Sequence, residues 1–247
     1  ALDRPNIMIK VPATPVGIPA IETLLGEGIN VNVTLIFSLA HYQAVAEAYI
    51  AGLEKLAAEG GDLSKVASVA SFFVSRVDTA VDRQLEEMAE TDLRGKIAIA
   101  NAKVAYAHFS EAFSGARWEK LAAGGARVQR PLWASTGTKN PHFPDTLYLD
   151  SLIGPDTVNT VPPATLQAFL DHGTVAPTLA AGLEDAQAQL ARLADLGIDL
   201  EAITQKLQDD GVASFAKSFE SLMASIAQKR EKLLSDWQHV SVSLNGH

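Results

Sequence analysis

Cysteine is absent from the 247-residue sequence. Disulfides, thiolate nucleophiles and cysteine-ligated metals are thereby excluded; this is compatible with a reducing cytoplasm, the expected location, without demonstrating it. No apolar run approaches the roughly 18 residues of a membrane span. No basic segment followed by an apolar signal core opens the sequence. Positive charge is also scarce, with 20 Lys and Arg against 29 Asp and Glu and a net charge of −9. That balance argues against a nucleic-acid or anionic-membrane partner. An anionic substrate would have to be held by a few placed cations. The six histidines, His41, His108, His142, His172, His239 and His247, lack metal-ligand spacing. Gly137-Thr138-Lys139 does not complete a P-loop, and no G-x-G-x-x-G follows a strand. The expectation is an enzyme or module without metal or cofactor.

What is present is a globular composition, 47% hydrophobic and 20% charged, on a length that suits one α/β barrel. Within the apolar run Asn6 to Pro12 stands Lys10. An unpaired ammonium in such a strand costs several kcal/mol unless it is neutralised or partnered. Two readings stay open on this strand alone: a lysine that snorkels out at the strand end, or a neutral amine able to attack a carbonyl. The next strand, Asn30 to Phe37, alternates Val31, Val33 and Leu35 with Asn30, Asn32 and Thr34. Each strand thus has one aliphatic face and one carrying polar or ionisable groups. A helical pattern from Pro15 to Leu25 joins them, so the unit is βαβ and its strands are parallel. A doubly wound sheet would be apolar on both faces; one functional face points to a barrel with helices outside. Asn32 and Thr34 share the inward parity of Lys10, either around a substrate or as a self-satisfied buried polar layer.

Further along, Ser38 can cap a helix over 39–59 that ends at Gly60-Gly61. Strands are expected at Val66–Val74, Ala126–Ser135 and Asp156–Val161, with helices at 78–90, 94–113, 146–152 and 165–172. Pro131 removes one ladder bond from the fourth strand. Ser135 to Pro141 reads as a loop. After Leu183 the pattern is helical, with breaks near Gly197 and Gly211. Five strands fall short of the eight of a (β/α)8 barrel, and an uncovered first strand is a pairing liability. The expectation is the carboxyl-terminal part of a parallel (β/α)8 TIM-barrel fold lacking its first three βα units, the alternative being strands hidden in the helical tail. No repeat or linker divides the chain, so residues 1–247 are read as one domain.

These motifs together resemble transaldolase, a Schiff-base enzyme of the class I aldolase type. The likeness runs through Ile9 to Thr14, Gly28 to Ser38, Ser71 to Arg76, Trp133 to Pro141, Leu152 to Thr160, and Leu196 to Asp199 with Gly211 to Phe215. It implies a transferase of the pentose phosphate pathway. A dihydroxyacetone unit would move from sedoheptulose 7-phosphate or fructose 6-phosphate to an aldose phosphate, through an imine on Lys10. For attack the amine must be neutral, which burial and a nearby guanidinium would favour. Asn32 would bind sugar hydroxyls and Thr34 would orient the water that relays protons. Ser71 would bind a donor hydroxyl. Arg76, Ser135 and Lys139 would meet the phosphate, with a surface ion pair or a solvated loop as the plain alternatives for the two cations.

The resemblance also implies an aspartate, an asparagine and a glutamate from three preceding units, at positions with no counterpart here. Weak or absent turnover is therefore expected of the chain alone. The rival readings are a fructose 6-phosphate aldolase-like cleavage and an inert fragment or complementing half-barrel. A missing amino-terminal segment and a homo-oligomer both remain open as partners.

Overall fold

Among the described residues five short strands carry the fold: β1 (Ile9–Pro12), β2 (Val31–Ile36), β3 (Ser68–Phe73), β4 (Arg130–Ala134) and β5 (Val158–Asn159). All neighbours pair in parallel, and their order across the sheet is their order along the chain. Parallel neighbours joined by right-handed crossovers place their helices on the same side of the sheet. This is the winding of a barrel wall; a doubly wound sheet reverses its strand order. The computed structural model describes residues 4–244. Among them the sheet is open, with β1 hydrogen-bonded only to β2.

Register fixes the two faces. Ile9 pairs with Val31, Lys10 with Asn32, Val11 with Val33 and Pro12 with Thr34. Val31, Val33, Ala70, Phe72 and Trp133 form the apolar side, each no more than 1% exposed. Tyr42 from the next helix meets Phe72 edge-on, and Phe72 meets Trp133 in the same way. Lys10, Asn32 and Ser71 stand on the other side.

The first two helices are α1 (Gly17–Gly26) and α2 (Leu39–Ala58). Ser38 caps α2 as its sequence suggests, its Oγ accepting from His41 N. The pair packs closely because Gly52 has no side chain: a Cβ there would sit 2.7 Å from Leu25 Cβ and 2.8 Å from Glu22 O. Next come α3 (Ser75–Glu87), α4 (Ile97–Ala112), α5 (Gly115–Ala123) and α6 (Leu147–Ser151). After β5 follow α7 (Pro163–His172), α8 (Leu183–Asp195) and α9 (Leu200–Leu244).

Several boundaries differ from the sequence expectation. Helix α3 begins three residues early, because Val74 N and Ser75 N donate to Ala134 O and Ser135 O at the end of β4. Arg76 therefore stands in a helical turn. Helix α5 has no counterpart in the expected pattern; Trp118 and Leu121 bury its one apolar edge. The helix does not break at Gly211, since a single glycine costs a helix only about 1 kcal/mol.

The described chain divides into two compact units, Ala1–Gln208 and Asp209–His247. In the first, Gln208 is 1% exposed and its Nε2 donates to Ala13 O and Leu35 O at the ends of β1 and β2. The second is helical where described, with Val212, Phe215, Phe219, Leu222, Ile226 and Leu233 exposed at helical spacing. Among the described residues no helix is long and apolar enough to cross a membrane.

Replacing Gly52 by alanine tests the α1–α2 contact. The substitution gains about 1 kcal/mol of helix propensity but drives a methyl into backbone and side chain, at a cost of about 1–3 kcal/mol. The expected result is a lowered urea midpoint; an unchanged or raised midpoint would refute the close approach.

Candidate active site

Lys10 and Asn32 are register partners on adjacent parallel strands, so their side chains leave the sheet on the same face. On the next strand Ser71, 2% exposed, donates from its Oγ to Asn32 Oδ1 at 2.7 Å. The Asn32 amide is thus oriented with its oxygen occupied, which leaves its Nδ2 as the donor available to a substrate hydroxyl. Thr34 is fully buried, and its Oγ1 has no hydrogen-bond partner among the described residues. Buried hydroxyls nearly always find a partner, so this one is suited to hold a water or a substrate oxygen.

The backbone beside Thr34 is irregular. Register slips between Val33 and Ile36 where Leu35 takes φ +59°. Ser135, the first residue after β4, takes φ +58°. A left-handed backbone is costly for such residues and collects at functional ends of folds. Both lie at the carboxyl ends of their strands, the end at which barrel enzymes carry their sites.

A second cluster joins the exits of β3 and β4. Ser75 Oγ and Ser135 Oγ are 2.9 Å apart, and Ser75 N donates to Ser135 O. Arg76 is exposed in the first turn of α3, its guanidinium 5.1 Å from the Phe73 ring centroid. Thr136 Oγ1 donates to Asn159 Oδ1, which ties the start of the loop to β5.

Two expectations change. Lys10 is exposed, so burial does not desolvate its amine; among the described residues β1 has a neighbour on one side only, and Met8 and Ile9 are open as well. Lys139 is exposed too, and lines a cavity with Asp78, Asp82, Arg83, Glu86 and Tyr148, so a phosphate there would meet carboxyl groups as well as cations.

The sequence reading passed over Ser75 and Asp78. Asp78 and Asp82 are 2% and 7% exposed, inserted beside the buried Val77, Val81 and Leu85 of α3. Their i, i+4 spacing along that apolar stripe was the available signal. Ala98 N and Tyr148 OH donate to Asp78, and Gly95 N donates to Asp82. Burial pushes the Asp78 carboxyl up to about 7, against the pull of those hydrogen bonds. It also raises Asp82.

Comparison with known proteins gives a consistent picture. The sequence model of the family described as Transaldolase/Fructose-6-phosphate aldolase matches residues 1–226. A transaldolase of Thermobifida fusca (strain YX) is 54% identical over 232 residues, 92% of this chain and 63% of the relative. One from Parafrankia sp. (strain EAN1pec) is 52% identical, covering 93% and 63%. One from Mycolicibacterium smegmatis is 52% identical, covering 90% and 61%. The chain spans less than two thirds of the length of these relatives.

The raised Asp78 carboxyl sets a pH dependence. A folded pKa above the unfolded value of about 3.9 gives stability that is complete below that value and is lost as pH rises through about 7. Asp78→Asn keeps an acceptor for Ala98 N and removes the titration. Relative to wild type, its unfolding free energy should rise between about pH 5 and about pH 8. Urea titrations at both values check this, and a constant difference would rule out the buried proton.

Proposed function

The chain belongs to the transaldolase/fructose-6-phosphate aldolase family, and from that premise we propose that it carries the Schiff-base part of a transaldolase site. The observation that carries this reading is the register of Lys10 against Asn32, with Ser71 holding the Asn32 amide. The amine of Lys10 adds to the ketose carbonyl, and loss of water gives an imine whose protonated form draws electrons from the adjacent carbon–carbon bond. Cleavage releases an aldehyde and leaves an enamine on Lys10. The enamine attacks the carbonyl carbon of an aldose phosphate, and hydrolysis frees the new ketose. Asn32 Nδ2 binds sugar hydroxyls, Thr34 Oγ1 orients the water that relays protons, and Ser71 supports the donor hydroxyl through Asn32. Arg76 and Ser135 meet the phosphate at the first turn of α3, where the exposed Arg76 guanidinium supplies the charge that pairs with an anion. Lys139 is the weakest member of the set, given its acidic surroundings.

The five strands correspond in this proposal to strands four to eight of the barrel, with residues 1–247 as that portion plus terminal helices. The substrates are sugar phosphates of the pentose phosphate pathway, and the compartment is the cytoplasm. The exposure of Lys10 supports the view that further βα units cover it in the working site. The chain alone is then a weak catalyst, because an uncovered amine keeps its hydration and no acid is set opposite it. An aldolase that releases the three-carbon ketone is the second reading, favoured by the shared family description.

Borohydride trapping with fructose 6-phosphate tests the proposal. A mass adduct on Lys10, absent in Lys10→Ala, is expected. No adduct on a folded chain would sink the Schiff-base reading. Turnover of residues 1–247 by themselves is expected to rise with a supplied amino-terminal part, and full activity without it would overturn the half-site assignment. Product formation with and without an aldehyde acceptor separates transfer from cleavage.

A further inference from the structure

Of the buried ionisable groups, Asp78 has no place in the chemistry above, yet it stands behind the residues that would hold phosphate. It lies three residues after Ser75 on α3. Its Oδ1 accepts from Ala98 N at 2.7 Å and its Oδ2 from Tyr148 OH at 2.9 Å. Tyr148, 2% exposed, belongs to α6, directly beyond the loop that begins at Ser135. That loop is also seated from below. The Phe143 ring lies over Gly95, where a Cβ would come within 2.9 Å of it and where φ is +69°. Thr138 Oγ1 donates to Pro144 O and closes the loop on itself.

Helix α3 and the loop after β4 are therefore joined at two places. In front, Ser75 meets Ser135. Behind, Asp78 meets Tyr148. Arg76 lies between them in sequence, on the same helical turn. We propose that Tyr148 is a positioning residue for the phosphate end of the site, its hydroxyl locking the Ser135 loop to the helix that carries Ser75 and Arg76. This rests on the phosphate role given above to Arg76 and Ser135. The bond suits such a lock because it is charge-assisted when Asp78 is ionised, is shielded from solvent, and joins two elements far apart in sequence. Loss of the hydroxyl leaves the ring in place and a carboxylate oxygen without its partner, so the loop is free to shift. A displacement of about 1 Å is enough to weaken a multi-point anion contact.

The experiment uses Tyr148→Phe in the full chain, with inorganic phosphate as the probe and titration calorimetry as the readout. Phosphate affinity should fall about tenfold, the loss expected when one buried charge-assisted hydrogen bond no longer orders the site. Asp78→Asn, which can still pair with Tyr148, should retain affinity within a factor of about three. Borohydride trapping of dihydroxyacetone, a donor without phosphate, should be the same in Tyr148→Phe and wild type. Equal phosphate affinity in Tyr148→Phe and wild type overturns the inference, as does a wild-type chain that binds no phosphate. A parallel loss of phosphate binding and dihydroxyacetone trapping also overturns it, because that is general damage. A wild-type chain that binds phosphate with the expected Tyr148 dependence but forms no adduct leaves the inference standing and removes the Schiff-base reading instead.

Discussion

Burial of one face of the sheet constrains everything else in the first unit. Val31, Val33, Ala70, Phe72 and Trp133 are sealed against helices. At about 25 cal/mol for each Å² of apolar surface, several kcal/mol ride on keeping those side chains inward. Because side chains alternate, this also decides where the polar groups go. A slip of β2 by one residue would turn Asn32 into the core and expose Val31 and Val33. The register that places the amine beside the amide is therefore held by hydrophobic burial, with no need for attraction between the two polar groups.

The charged groups divide into two kinds. Lys10 and Arg76 are exposed, and what they do depends on what comes to meet them. Asp78 and Asp82 are buried carboxylates, each accepting a backbone N–H at the approach to α4. A carboxylate at a helix start relieves unpaired donors and favours the dipole, which offsets part of its desolvation. The carboxyl pair belongs to the scaffold, and the cations belong to the surface that a substrate would see.

Much of this was legible in the sequence, and the gaps have physical causes. Period-two alternation around Lys10 and Asn32 predicted a shared face, and the register agrees. The Ser38 cap was legible because the donor it satisfies is three residues away. The start of α3 was not, because Ser75 N finds its acceptor at Ser135, sixty residues on. Helix α5 was missed since its apolar edge amounts to little more than Trp118 and Leu121. The exposure of Lys10 was misjudged because strand composition reports how greasy the neighbours are in sequence, and burial depends on which strands stand alongside. Asp78 escaped notice because its partners, Ala98 and Tyr148, come from two other helices.

Gln208 closes two loose ends that lie almost the whole chain away. Its amide nitrogen reaches the carbonyls of Ala13 and Leu35, one just past β1 and one in the distorted turn of β2. Shortening the polypeptide to just before this glutamine would spare every residue assigned to substrate. It would nonetheless strip the ends of β1 and β2 of a shared donor, so the support of the candidate site is much wider in sequence than in space.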